Sequence, residues 1–263
     1  MPCFYSTKVK TLSTAESRAN AIALLARAAE RSKRGNVAYS RTFVRVLNVP
    51  PDMVPPVPPL ARLIQGGRGG EARLRLYLLL TMMATRYPYD IRNPPNSWTL
   101  ALTLDLSPAT GPRRIASNMK WLSDHGFIGL TKRPGLTPAI QLLDRYGSGH
   151  PLENPRSSRP WVTIPIGFWS RGWLLQLSPV AIAVLFSLRE HLGGYEAPRY
   201  MLRDRRESYY LSHDTWTRGS RELEDNGLLT VARRLHGQEQ YADMRLRNNY
   251  WLDIDRLDTP PPG

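Results

Sequence analysis

Five histidines, one cysteine and three clustered aspartates are the side chains that could support catalysis or hold a metal. The histidines, at positions 125, 150, 191, 213 and 236, share no spacing typical of metal ligands, and Cys3 stands alone. Asp253, Asp255 and Asp258 approach the pattern of a nuclease cluster, but ordinary solvated charge explains them. Because no GxSxG, HExxH or GK[ST] signature occurs either, we expect no enzyme, no cofactor and no metal site.

Basic and polar side chains recur in a duplicated segment, which offers a different chemistry. The phrase "DHGFI" at 124 to 128 returns as "DNGLL" at 225 to 229. The same offset places "GPRRIASNMKWLSDHGFIGLTKR" (111 to 133) over "SHDTWTRGSRELEDNGLLTVARR" (212 to 234), with a leucine, a glycine and a basic pair at matching positions. The chain therefore repeats one supersecondary unit.

Each copy predicts a helix, a turn and a basic strand. Pro112 suits the first helical position of one copy, and Ser212 suits the N-cap of the other. About 13 residues later, a glycine suits a left-handed helix end, and an apolar and basic strand follows. A helix that ends in this way before a basic hairpin is typical of the recognition helix and wing of a winged helix-turn-helix.

The first predicted helix carries its polar residues away from an apolar stripe. At 100° per residue, Ile115, Met119 and Leu122 share one face. In the major groove of DNA, arginine forms bidentate bonds to guanine, and asparagine forms them to adenine. The residues that we predict to contact DNA from this helix are Arg113, Arg114, Ser117, Asn118 and Lys120.

The second predicted helix has a weaker basic face. Trp216 and Leu223 take its buried side, and acidic residues such as Glu222 accompany the basic ones, so a merely solvated face remains an alternative. We expect the first copy to contribute more to DNA binding. The candidate contacts of the second helix are His213, Thr215, Thr217, Arg218 and Arg221.

The two predicted hairpins add candidates for phosphate or minor-groove contacts. Alternating charge at a sheet edge would produce the same pattern merely by preventing aggregation. The candidates are Lys132, Arg133, Arg233, Arg234, Arg245 and Arg247.

The charge of the chain indicates a polyanionic partner. The formal net charge is +14 and the sequence pI about 10.3. Residues 1 to 70 carry 11 basic and 3 acidic residues (+8), residues 71 to 150 carry 10 and 5 (+5), and residues 151 to 263 carry 15 and 14 (+1). Counterion release would supply much of the affinity for a nucleic acid. Charge alone does not separate DNA from RNA or the ribosome.

Composition divides the chain into five predicted segments. A basic arm with an amphipathic helix and a proline-rich linker (1 to 65) precedes a first domain (66 to 146), a linker (147 to 160), a second domain (161 to 257) and a disordered tail (258 to 263). The longest apolar runs, 76 to 84 and 180 to 188, are too short to span a bilayer. With one cysteine, we expect a reducing cytoplasm and no membrane partner.

Three segments of the second half resemble a known family. "WVTIPIGFWSRGWLLQLSPVAIAVLFSL", "LSHDTWTRGSRELEDNGLL" and "RLRNNYWLD" are similar to the winged-helix unit of plasmid replication initiators and related mobile-element proteins. "GGRGGEARLRLYLLL" and "LSPATGPRRI" resemble uncharacterised helix-turn-helix proteins of actinobacteria. The resemblance covers about residues 66 to 257, implies the fold and DNA binding, and does not choose between replication, regulation and partition.

The sequence therefore predicts an α+β, mainly α chain with two tandem winged helix-turn-helix domains behind a basic helical arm. We expect it to bind double-stranded DNA in a sequence-specific way, to associate with the bacterial nucleoid and to be capable of forming a homodimer. Transcriptional regulation is the leading role. The alternatives are replication initiation or maintenance of a plasmid or mobile element, and an RNA- or ribosome-associated basic factor.

Overall fold

A computed structural model describes residues 13–47, 52, 56–66, 69–144, 150–153, 161–194, 197–236 and 245–262. Within these ranges the protein is an α+β fold in which helices predominate and the strands form three small antiparallel sheets, which confirms the predicted fold class at this level. None of the described helices is long and apolar enough to cross a membrane.

The N-terminal part of the chain folds into helices and one strand. Helix α1 (Thr14–Ser32) begins with a capping box, in which Ser13 and Glu16 each bond the other's backbone N–H. Strand β1 (Asn36–Ser40), helix α2 (Arg41–Val44) and helix α3 (Pro59–Ile64) follow. Strand β1 ends at Ser40, because the Ser40 side chain accepts a hydrogen bond from the backbone of Thr42 and starts α2.

The first copy of the repeat lies within a unit of three helices and three strands. Its elements are α4 (Gly69–Met83), β2 (Asp90–Ile91), α5 (Ser97–Thr103), α6 (Gly111–Asp124), β3 (Ile128–Arg133) and β4 (Leu136–Leu142). In the sheet β4 lies between β2 and β3. Helix α4 is buried nearly all round, as expected for an apolar helix without a polar face.

The second copy lies within a unit built in the same order. Strand β5 (Trp161–Pro165) and short helices α7 (Gly167–Ser170) and α8 (Trp173–Gln176) lead into it. Its elements are α9 (Pro179–Leu192), β6 (Arg199–Tyr200), α10 (Arg203–Glu207), α11 (His213–Asp225), β7 (Leu229–His236) and β8 (Arg245–Leu252). Here β8 lies between β6 and β7. Both units thus run helix, strand, helix, helix, strand, strand, with the last strand in the middle of the sheet.

The N-terminal elements join the two units in one core rather than projecting as an arm. Strand β1 pairs with β5 from Asn36↔Pro165 to Ser40↔Trp161, and α1 packs against α4, α5 and α7. The ring of Phe43 in α2 lies 5.8 Å from that of Tyr77 in α4 and 6.2 Å from that of Phe186 in α9. The predicted amphipathic helix is present, and its apolar face is covered by the first unit and by α7, which leads into the second unit.

Two further predicted segments differ from expectation. The tail expected to be disordered from 258 follows a short 3-10 helix (Asp255–Asp258) and packs, because the Trp173 indole donates to the Thr259 carbonyl oxygen at 2.8 Å. Of the predicted linker, residues 150–153 are described, and Leu152 is buried in the core. The rest of that linker, 147–149 and 154–160, lies outside the described residues.

Candidate nucleic-acid interface

Helix α6 is fixed against α5 by its apolar stripe. Ile115 and Leu122 are fully buried and Met119 packs against the core, as the sequence predicted. Pro112 occupies the first turn, and a Cβ at Gly111 would lie 2.8 Å from the Cβ of Ala101. Because this close approach sets how α6 lies on α5, it also sets which side chains of α6 face solvent.

Four of the five predicted contacts on α6 are exposed. Arg113, Arg114 and Ser117 lie in its N-terminal half, and Lys120 lies one turn further along. The Lys120 ammonium forms an ion pair with Asp124 at 2.7 Å on the surface. This half of α6 therefore presents two arginines and a hydroxyl to solvent.

Asn118 is a correction to the predicted contact set. It is 7% exposed, and its Nδ2 donates to the Arg114 carbonyl oxygen at 2.8 Å. Three residues beyond Ile115, at 100° per residue, it lies only 60° from the buried stripe. Its amide is therefore engaged within the helix and is not presented to a base.

The C-terminal end of α6 is held by a stack of three side chains. The Arg73 guanidinium lies 3.7 Å from the centroid of the Trp121 ring, and the His125 ring stacks on Trp121 with the two centroids 3.8 Å apart. Burial lowers the pKa of the Arg73 guanidinium. Since Arg73 belongs to α4, this stack ties the end of α6 to the core helix, which sequence reasoning did not find.

In the first hairpin the two predicted basic residues have different surroundings. Lys132 is exposed on β3. The Arg133 guanidinium donates to the Thr137 carbonyl oxygen at 2.7 Å and to Asn93 Oδ1 at 3.1 Å. Arg133 therefore closes the hairpin, and Lys132 is the side chain of the pair that faces solvent.

Helix α11, like α6, buries an apolar face and exposes basic residues, but the hydrogen bonds in its first turn are different. Trp216 and Leu223 are buried as predicted, while His213, Arg218 and Arg221 are exposed. The two predicted threonines are half-buried and serve the first turn. The Thr217 hydroxyl donates to the His213 carbonyl oxygen, and the Thr215 hydroxyl lies 2.8 Å from that of the N-cap Ser212.

Glu222 on α11 has a structural partner. The Ser178 backbone N–H donates to its carboxylate at 2.7 Å, and the Ser178 hydroxyl also bonds it. Ser178 is the N-cap of α9, so this acidic side chain joins the two helices instead of lying among the exposed arginines. Packing thus accounts for one of the acidic residues that weakened the predicted basic face, while Asp214 and Asp225 are exposed on α11.

The second hairpin presents its basic residues along both strands. Arg233 and Arg234 are exposed on β7. Arg247 on β8 lies opposite Arg234, and its guanidinium lies 4.9 Å from the Tyr200 ring centroid. The backbone of Arg245 pairs with that of His236, and its side chain lies outside the described residues.

No family model matches the chain, and neither a curated protein nor a solved structure does. The interpretation of the two units therefore rests on their own geometry. Among the described residues no group of histidine, cysteine, aspartate and glutamate side chains could hold a metal ion. What the exposed faces of α6 and α11 offer is hydrogen-bond donors and positive charge.

Proposed function

We propose that both units are winged helix-turn-helix domains and that the chain binds double-stranded DNA. The observation that carries this proposal is the repeated order of helix, strand, helix, helix, strand, strand, with the last strand central in each sheet. In this arrangement α6 and α11 are the recognition helices, and the hairpins β3–β4 and β7–β8 are the wings. A recognition helix enters the major groove with its N-terminal residues against base edges.

The first unit is the stronger reader of DNA. Arg113, Arg114 and Ser117 lie exposed in the N-terminal half of α6, where contacts to base edges are made. Helix α11 offers fewer exposed donors, mainly Arg218 and Arg221, because its threonines form hydrogen bonds within the first turn. Residues 71 to 150 carry a net charge of +5 and residues 151 to 263 carry +1, which favours the same order of strength.

The leading role is transcriptional regulation, and initiation of replication or maintenance of a plasmid or mobile element is the second candidate. Two reading units in one chain, together with the resemblance of the second unit to replication initiators, are the observations that keep the second candidate beside the first. Selection of bound fragments from the source genome separates them. Isolated sites upstream of genes would support regulation, and a row of direct repeats would support replication. Equal binding of random duplexes, or a preference for RNA, would overturn sequence-specific recognition of DNA.

A pair of arginine variants tests the assignment of the recognition helix. Arg114→Ala should weaken binding to the selected fragment by about 1 to 3 kcal/mol, because one arginine contact to a base contributes about that much. Arg171→Ala is the matched control, since Arg171 is exposed on the turn between α7 and α8. Equal losses on random DNA would make Arg114 a phosphate contact, and unchanged binding would remove α6 from the interface.

A further inference from the structure

A cavity of about 620 Å³ opens in the second unit, between α9, β6, α10 and β8. Its volume lies within the range of about 300 to 1,000 Å³ that small-molecule sites occupy. No residue of the exposed face of α11 is among its described lining residues, so it is separate from the proposed recognition helix. The described lining residues are His191, Pro198, Arg199, Tyr200, Leu202, Arg205 and Asn249.

One wall of the cavity belongs to a buried cluster of charges centred on Glu190. The Glu190 carboxylate is fully buried, and it accepts from Arg41 at 2.5 Å, Arg45 at 3.1 Å and Arg205 at 2.8 Å. The Tyr209 hydroxyl also donates to it at 2.7 Å. Three guanidinium groups therefore share one carboxylate, and Arg205 is the member of the cluster that lines the cavity.

The cluster retains two positive charges at neutral pH. Burial raises the pKa of Glu190, but the Tyr209 hydrogen bond and the charges of Arg205 and Arg45 lower it by more, so Glu190 stays ionised. Burial and the charge of Glu190 raise the pKa of Tyr209, which stays neutral. Burial lowers the pKa of His191, so that ring adds no charge. Three positive charges and one negative charge leave an excess of two.

We propose that this cavity binds a small organic phosphate monoester. The described lining residues include two arginines and no carboxylate, and guanidinium groups bind phosphate in bidentate geometry. A monoester carries about two negative charges at pH 7, so the positive charges of Arg199 and of the arginines around Glu190 favour it over a carboxylate or a backbone phosphodiester with one charge. Pro198, Tyr200 and Leu202 provide an apolar side for the organic part.

Calorimetric titration of the full-length protein tests the site with three probes that share a phenyl ring: phenyl phosphate, phenyl sulfate of the same shape but one charge, and phenol without an anionic group. Phenyl phosphate should bind at least about tenfold more tightly than the singly charged sulfate, inorganic phosphate should compete with it, and phenol should not bind. Arg199→Ala should weaken phenyl phosphate binding by about tenfold or more, because it removes a charged lining residue without touching the Glu190 cluster. Arg203→Ala is the matched control, since Arg203 is an exposed arginine of α10 outside the lining.

Three outcomes would overturn the proposal. They are no saturable binding of phosphate or phenyl phosphate up to the solubility limit, equal affinity for phenyl phosphate and phenyl sulfate, and equal losses in the Arg199→Ala and Arg203→Ala proteins. Duplex DNA provides a separate arm. If Arg199→Ala weakens DNA binding while phenyl phosphate does not bind, the cavity takes a backbone phosphate instead. The site and the proposed DNA binding can therefore fail independently.

Discussion

The Arg75 guanidinium joins α4 to the segment that precedes the second unit, because its Nη2 donates to the Leu175 carbonyl oxygen at 2.8 Å. The same nitrogen lies 3.3 Å from the Leu177 carbonyl oxygen, and Glu71 pairs with the guanidinium from within α4. Burial lowers the pKa of Arg75, so the contact is made by a largely desolvated charge. One side chain therefore bridges residues about a hundred positions apart.

Arg75→Met should lower the free energy of unfolding by about 1 to 3 kcal/mol, because it leaves two carbonyl oxygens without their donor in a partly buried contact. Urea denaturation of the full-length protein measures the loss. Arg203→Met is the control, because Arg203 forms only a surface pair with Glu207, and such pairs contribute less than about 1 kcal/mol. Equal losses in the two variants would show that Arg75 does not hold α4 against the segment that precedes the second unit.

The shared core predicts a single unfolding transition for the intact chain. Rings from β1, α2, α4 and α9 pack around Phe43, so neither unit can unfold without exposing apolar surface of the other. Differential scanning calorimetry should give a calorimetric enthalpy equal to the van't Hoff enthalpy. Two resolved transitions would mean that the units are independent domains joined by a tether.

Gly219 marks the closest approach of α11 to α9. A Cβ added there would lie 2.6 Å from Val184 Cγ2 and 3.0 Å from the Val180 carbonyl oxygen. Alanine in a helix normally stabilises by about 0.5 to 1 kcal/mol relative to glycine, but this overlap should reverse the sign, and Gly219→Ala should cost about 1 to 2 kcal/mol.

Gly35→Ala serves as the control for that measurement, since nothing lies within 4 Å of its added Cβ. Urea denaturation of both variants should show a loss at position 219 and a change of less than about 1 kcal/mol at position 35. A stabilised Gly219→Ala protein would contradict the close packing of the two helices.

Glu190→Gln should lower the free energy of unfolding by about 3 to 5 kcal/mol at neutral pH, because three buried or half-buried guanidinium groups lose their counter-charge. The folded-state pKa of Glu190 lies below its ordinary value, so this stabilisation is complete above the unfolded pKa of about 4.3 and is lost as pH falls below it.

Denaturation of the wild type and of Glu190→Gln is measured between about pH 3 and 7, a range that brackets the carboxyl pKa of about 4.3 in the unfolded chain. This series checks the expected pH dependence. The difference between the two proteins should be constant near neutrality and shrink in acid. Glu224→Gln, an exposed change on α11, should leave the profile unaltered. A difference that grows as pH falls would show that burial, not the arginines, decides the ionisation of Glu190.

Several elements could be predicted because their signals are local. As predicted, Ser212 caps α11, Pro112 occupies the first turn of α6, and a glycine in the left-handed region follows each helix. Caps, helix-starting prolines and apolar stripes are short-range properties. The exposed faces of α6 and α11 followed from the same periodicity, so most of the candidate contacts could be placed from sequence.

Other features depend on partners that are remote along the chain. Strand β1 pairs with β5, which lies some 125 residues later, and Glu222 bonds Ser178, 44 residues earlier. The periodicity of a single helix does not indicate a partner that is distant along the chain. The sequence therefore predicted α1 as part of an arm and Glu222 as a solvated acidic residue. The prediction that Asn118 contacts DNA was wrong, because a residue 60° from the apolar stripe already lies on the packed side of α6.

Asp124→Asn should increase affinity for the selected DNA by about two- to fivefold, because it frees Lys120 from its surface ion pair and removes a negative charge near the proposed interface. Fluorescence anisotropy in a salt series measures this change. Asp204→Asn, an exposed change on α10, should leave the affinity unaltered. Lower affinity for the Asp124→Asn protein would indicate that Asp124 positions Lys120 for contact.

The pairing of β1 with β5 helps to fix the distance between the two proposed recognition helices. Because β1 pairs with β5 and rings of α2, α4 and α9 pack together, the two units share one core, which fixes the spacing and the rotational phase of α6 and α11. DNA completes a turn in about 10.5 base pairs, so about five extra base pairs between two subsites would place the second on the opposite side of the duplex. A flexible pair of DNA-binding units could follow that rotation, whereas under the proposed function this chain would bind only sites whose separation matches the spacing of α6 and α11.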